Sequence, residues 1–260
     1  MVIGRGMRRV AVAACLMVAL AANARAQTFD VKQPEAEKGV VEFGPETMFA
    51  RGLPDGANRH ANEQALFYGI ADWWKINGAV KLEQPSGDDL RLVGAAVGNV
   101  FVLKAIDDKR AYDTGLGWFT EVTVSTHRDA TNAVLFGFIP KVKLDKLSIT
   151  ANPFLEKTFG RNREEGIALV YGWQVKYELH DGLALGLEGY GVVDNLGNSP
   201  PMSDQEHRIG PVLYTEIPIR PDFKLAADAG VLFGLTPGTP DVALKVNFGI
   251  PLYKPPGRPD

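Results

Sequence analysis

The sequence has four histidines, His60, His127, His180 and His207. Three of them have an acid close by in sequence: Glu63, Asp129 and Glu206. Imidazole and carboxylate together are the donors that bind zinc and related ions. No pair stands at a ligand spacing, however, so the plain reading is solvated loop histidines, with His180 in a tight turn, and no metal site is expected. His207 with Ser125 or Ser203 could supply a base and a nucleophile for a lipid hydrolase at a membrane rim. No signature supports that pairing, because G-x-S-x-G, H-E-x-x-H and the Walker loop are all missing. "GYGVVDNLG" (189–197) opens no helix and is not a phosphate cradle. The chain is read as no enzyme, and no cofactor is expected.

What does recur is Lys and Glu at every second position. Glu42, Glu46, Lys75, Lys81, Lys104, Glu121, Lys141, Lys143, Lys176, Glu178, Glu188, Arg208, Glu216, Asp228 and Lys245 all fall on alternate positions of otherwise mixed runs. Glu63 and Glu83 join them. Charges of both signs lining a narrow passage would pair across it and bias which ions enter. Such a set needs an element whose alternate residues share a face, and that element is a β-strand.

"IALVYGWQVKYEL" (167–179) has this pattern. Ile167, Leu169, Tyr171, Trp173, Val175, Tyr177 and Leu179 form one uncharged face, while Gln174, Lys176 and Glu178 lie on the other. About twelve such segments follow one another, near 40–51, 61–70, 73–83, 90–104, 115–126, 132–143, 146–156, 166–179, 182–193, 206–218, 223–235 and 241–252. The odd-numbered connections between them are mostly long and polar. The even-numbered ones are mostly tight, with "DDKRAYDT" (107–114) the exception. Outer-membrane barrels show this alternation of short inner turns and longer outer loops, and their strands are even in number. The uncharged faces suit lipid, where a mid-membrane Lys or Arg costs about 2–4 kcal/mol. Tyr68, Trp73, Trp74, Trp118 and Tyr177 sit near segment ends, as an aromatic girdle requires. A soluble sandwich would instead place the same charges on its solvated faces.

The front of the chain reads as a signal peptide: Arg5, Arg8 and Arg9, then thirteen small or apolar residues, then "NARA" ending at Ala26. Removing 1–26 takes four Arg and the only cysteine, Cys15. That leaves 24 basic against 31 acidic residues, a net charge of −7. A negative chain without cysteine is unsuited to nucleic acid and has no disulfide. Only Met48 and Met202 remain to argue for a soft metal, which is too few. The expected organisation is a signal peptide (1–26), a flexible tail (27–38), a barrel (39–252) and a C-terminal tail (253–260). The expected fold class is all-β: a single antiparallel, transmembrane, up-and-down β-barrel of about 12 strands in the bacterial outer membrane. Outer-membrane lipid and a small solute are the expected partners, and the sequence specifies no oligomeric partner. Eight strands are filled by their own side chains and sixteen to eighteen leave a wide channel. Twelve should leave a narrow lumen, with Phe67, Val102, Phe119, Ile139, Tyr190, Val212, Tyr214 and Leu232 as apolar patches. A small-solute channel fits best, with a non-conducting anchoring barrel or a lipid hydrolase as alternatives.

Three stretches carry a family resemblance: "EKGVVEFGPETMF" leading to "ALFYGIADWWKI", "VFVLKAI" followed by "GLGWFTEV", and "DQEHRIGPVLYTEI" leading to "DVALKVNFGI". The chain resembles the outer-membrane barrels related to the MetA-pathway phenol-degradation proteins, over nearly all of its mature length. The resemblance implies a barrel that passes small hydrophobic or aromatic compounds, and it transfers no catalytic residue. One departure is the chain end, which runs past Phe248 into "PLYKPPGRPD" rather than stopping on an aromatic.

Overall fold

The structure, a computed structural model, describes residues 29–52, 58–85, 89–107, 109–126, 131–220 and 223–256. The expected signal peptide, His127, Asp129 and the last four residues lie outside them. Twelve strands follow in order: β1 (Val41–Arg51), β2 (Arg59–Ala71), β3 (Trp74–Pro85), β4 (Arg91–Lys104), β5 (Tyr112–Ser125), β6 (Asn132–Leu144), β7 (Leu147–Phe159), β8 (Ala168–His180), β9 (Leu183–Val193), β10 (Glu206–Arg220), β11 (Phe223–Gly234) and β12 (Val242–Tyr253). Each pairs antiparallel with its sequence neighbours, and β1 pairs with β12, so the sheet closes as an up-and-down barrel. Closure satisfies every strand edge, which is what lets a sheet sit in lipid.

The connections 72–73, 145–146 and 181–182 are two-residue turns, with Asp145 at φ 54° in the second and Gly182 at φ 74° in the third. The stretch 107–114 is shorter as a loop than its composition suggests. Tyr112 and Asp113 extend β5 and pair with Leu144 and Lys143 on β6. β12 ends on an aromatic, Tyr253. A short 3-10 turn, Met202–Asp204, lies in the connection from β9 to β10, and among the described residues no helix is long and apolar enough to cross a membrane.

The outward faces are apolar and exposed: Leu66, Val97, Phe138, Leu185, Leu213, Phe233 and Leu244 are each 40–55% accessible. Water would not tolerate so many, whereas a lipid band about 25 Å tall requires them. Tyr68 and Trp73 are exposed at the inner end of β2, and Trp73 stacks on Trp74 at 6.0 Å between ring centroids. In the β6–β7 ladder, pairing is interrupted between Gly137↔Phe154 and Lys141↔Thr150, where Pro140 and Pro153 lack the amide hydrogen that a ladder needs.

Candidate functional site

The lumen contains a segment of the chain itself. Residues 29–38, aperiodic and polar in sequence, run inside the barrel. The entry point is the inner mouth, beside the 72–73 turn. There the Lys38 amide donates to Asp72 Oδ1 (3.0 Å) and the Gly39 amide to the Gly69 carbonyl (2.7 Å). Going back towards Phe29, the segment climbs towards the outer loops. Glu35 meets the Lys141 ammonium. The Thr150 hydroxyl donates to Gln33 Oε1 (3.2 Å). Asn152 holds the backbone of Lys32 at both ends, accepting from its amide (2.6 Å) and donating to its carbonyl (3.0 Å). Asn247 donates to the Phe29 carbonyl (2.8 Å).

The segment needs room, and lumen-facing glycines provide it. A Cβ at Gly69 would collide with the Glu37 carbonyl oxygen, and one at Gly117 would stand 3.0 Å from Pro34. At the upper end Phe29 is 1% accessible, packs on Tyr190 with ring centroids 5.0 Å apart, and lies 4.6 Å from the Arg208 guanidinium. Phe29 and Val31 complete an apolar cluster with Met48, Ala50, Ala61, Tyr190, Leu232 and Ala243.

Charged side chains on the inner face gather into three groups. On the β9–β12 wall Lys245 bridges Glu188 (2.7 Å) and Asp228 (2.8 Å). Glu188 also accepts from Tyr190, Tyr214 and Gln174 at 2.6, 2.7 and 3.1 Å. Lys245 and Glu188 are both 1% accessible, so each charge depends on the other for its solvation. Across the lumen Lys81 bridges Glu121 (2.8 Å) and Glu63 (3.5 Å), while Lys32 of the inner segment bridges Asp30 (2.9 Å) and Glu46 (3.1 Å). These ions line a cavity of about 100 Å³ together with Phe119 and Phe154. Those two rings stack at 4.8 Å in a patch with Val100 and Ile139.

The third group lies at the inner mouth. Lys141, Lys143, Lys146 and Lys176 with Asp145, Glu178, Glu216 and Asp228 line a recess of about 280 Å³, and the Lys176 ammonium stands 5.1 Å from the Tyr214 ring. A second recess, of about 360 Å³ on the other side of the segment, is lined by Glu35, Glu42, Lys75, Glu216 and Lys224, and the Lys75 ammonium stands 5.5 Å from the Phe67 ring. Arg208 is buried and pairs with Glu206 (2.5 Å) at the outer end. Lys104 stands apart from all three groups, bonded to Asp113 (3.0 Å) beside the loop before β5.

Among the described residues the histidines do not gather. His60 stacks on Phe49 and His180 is exposed at its turn. His207 points outward, where Nδ1 meets the Tyr171 hydroxyl (2.7 Å) and Nε2 meets Gln205 Oε1 (2.9 Å). The hydroxyls considered for it go elsewhere, Ser203 to Asp204 and Ser125 to the Val93 carbonyl. Among the described residues no group of three His, Cys, Asp or Glu could hold a metal ion.

This architecture matches solved porins. The KdgM porin aligns over 82% of this chain and 99% of its own, with a TM-score of 0.51 and 11% identity. The COG4313 outer membrane channel from Pseudomonas putida F1 aligns over 86% of this chain and 100% of its own, with a TM-score of 0.58 and 11% identity. The chain shares the closed-barrel fold of these outer-membrane proteins. A second KdgM structure, in complex with disordered oligogalacturonate, aligns at a TM-score of 0.51 with 12% identity. No family model matches the sequence, and no curated protein does either.

Proposed function

We propose that this barrel is a narrow outer-membrane channel for small aromatic or hydrophobic solutes, closed in the state described by its own N-terminal segment. The observation that carries the reading is the kind of filling. Residues 29–38 occupy the passage, joined to the wall by side-chain contacts, while the inner mouth keeps a recess on each side of them. A segment held in this way can leave without breaking a strand ladder. The patch of Val100, Phe119, Ile139 and Phe154 offers an aromatic solute an apolar surface beside paired charges. The KdgM complex with oligogalacturonate supports a solute-binding lumen for this fold. Membership of the phenol-degradation barrels belongs to the same proposal and rests on the sequence motifs.

The filled lumen also favours a second reading, a non-conducting barrel that anchors its outer loops. Planar-bilayer recording of the purified, refolded protein separates the two. The channel reading expects resolved current steps that lengthen when residues 29–38 are deleted. A folded deletion variant that passes no current supports the anchoring barrel instead.

A further inference from the structure

The outward face of β2 breaks the apolar rule. Asn62 and Gln64 alternate with the lumen-facing Ala61, Glu63 and Ala65, so both point towards lipid. Thr47 of β1 stands opposite Asn62, and Pro45 opposite Gln64. Asn62 is fully used: its amide donates to the Glu46 carbonyl (3.2 Å) and to Thr47 Oγ1 (2.8 Å), and its carbonyl accepts from Gln64 Nε2 (2.5 Å). Gln64 is not fully used. One N–H is given to Asn62, and neither the other N–H nor Oε1 has a partner among the described residues. Asn62 therefore fixes the carboxamide of Gln64 in place and leaves one donor and one acceptor on offer.

Depth makes this costly. Tyr68 and the 72–73 turn mark the inner interface, and Gln64 lies four residues further along β2. At about 3.3 Å per residue and a tilt near 40°, that is about 10 Å into the apolar band. Neither water nor headgroups reach there, and an unpaired amide in hydrocarbon costs several kcal/mol. The neighbours on this face, Leu66 and Val80, cannot hydrogen-bond. Gly78, also outward on β3 and opposite Leu66, has open space where a side chain would be. Small residues of this kind let two membrane-embedded backbones approach closely.

We infer that the β1–β3 face binds a second copy of this chain about a two-fold axis beside Gln64. A primary carboxamide is self-complementary, since two of them facing each other exchange two N–H···O=C bonds. A two-fold axis satisfies both copies at once, with the same patch used on each side. The inference rests on the lipid-facing assignment of β2 and is independent of whether the lumen conducts.

The test is oxidative cross-linking of Leu66→Cys, two residues from Gln64 on the same outward face with Gln64 kept, in isolated outer membranes, with the unsubstituted chain and Leu185→Cys, on the far side of the barrel, as controls. The expected result is a product of twice the monomer mass from Leu66→Cys alone. The second measurement is the mass of the native and Gln64→Leu proteins in lipid nanodiscs, with heat-modifiable migration as the check on folding. Gln64→Leu should stay folded and lose the dimer, because leucine suits lipid but cannot make the amide pair. Equal cross-linking at both cysteines, a product with a protein of different mass, or one common mass for native and Gln64→Leu would overturn the inference.

Discussion

Phe29→Ala should unseat the inner segment. The ring is 1% accessible and rests on Tyr190 under Arg208. Removing a buried phenylalanine ring costs about 3–5 kcal/mol in a well-packed core. Water can refill the space from the lumen, so the lower end, about 3 kcal/mol, applies. The barrel strands do not depend on this ring, so the loss falls on the seated state alone. At about 1.4 kcal/mol per tenfold, the ratio of seated to unseated molecules should fall on the order of a hundredfold. Single-channel recording reads that ratio as open dwell against closed dwell, with heat-modifiable migration showing that the barrel is intact. An open fraction equal to that of the unsubstituted protein, in a folded variant, would refute the reasoning. The segment would then be either held by other contacts or irrelevant to current.

Three further perturbations probe the faces, the groove and the charges. Leu185→Arg puts a charge in the lipid band at a cost of about 2–4 kcal/mol and should reduce heat-modifiable folded protein, whereas Ala184→Arg, turned inward beside the mouth recess, should assemble better; the reverse order would reject the register. Gly69→Ala sets a methyl group against the Glu37 carbonyl oxygen and should lengthen channel openings, while Gly78→Ala, with open space around it, should leave openings unchanged. Replacing Lys141, Lys143 and Lys176 together with Gln should shift the reversal potential under a salt gradient towards cation selectivity, and a folded triple variant with unchanged selectivity would remove these residues from the pathway.

Period-two alternation made the barrel legible. In "LALGLEGYG" the leucines and the Ala–Gly–Glu–Tyr set separate cleanly, and the structure puts Leu185 and Leu187 outside with Glu188 and Tyr190 buried. Strand count and loop alternation followed from the same reading. Strand ends were less legible, as at Tyr112 and Asp113, because their pairing depends on Lys143 and Leu144 about thirty residues away. The inner segment was not legible as such. A stretch like 27–38 has no period when its contacts are single side chains from different strands, such as Asn152 of β7 and Asn247 of β12. A trace was present in Gly69, Gly117 and Gly172, three glycines at inward positions, but a missing side chain does not say what fills its place. Lys245, Glu188 and Asp228 each read as inward from alternation; their convergence depends on the curvature that brings β9 towards β12.

Uptake of a small aromatic solute tests the central claim most directly. Proteoliposomes holding the purified protein, with and without residues 29–38, are exposed to radiolabelled benzoate, whose charge slows its passage through lipid. The account predicts protein-dependent uptake that rises when the segment is deleted and falls with excess unlabelled aromatic acid. Folded protein that gives no uptake above empty liposomes, in both forms, would contradict it.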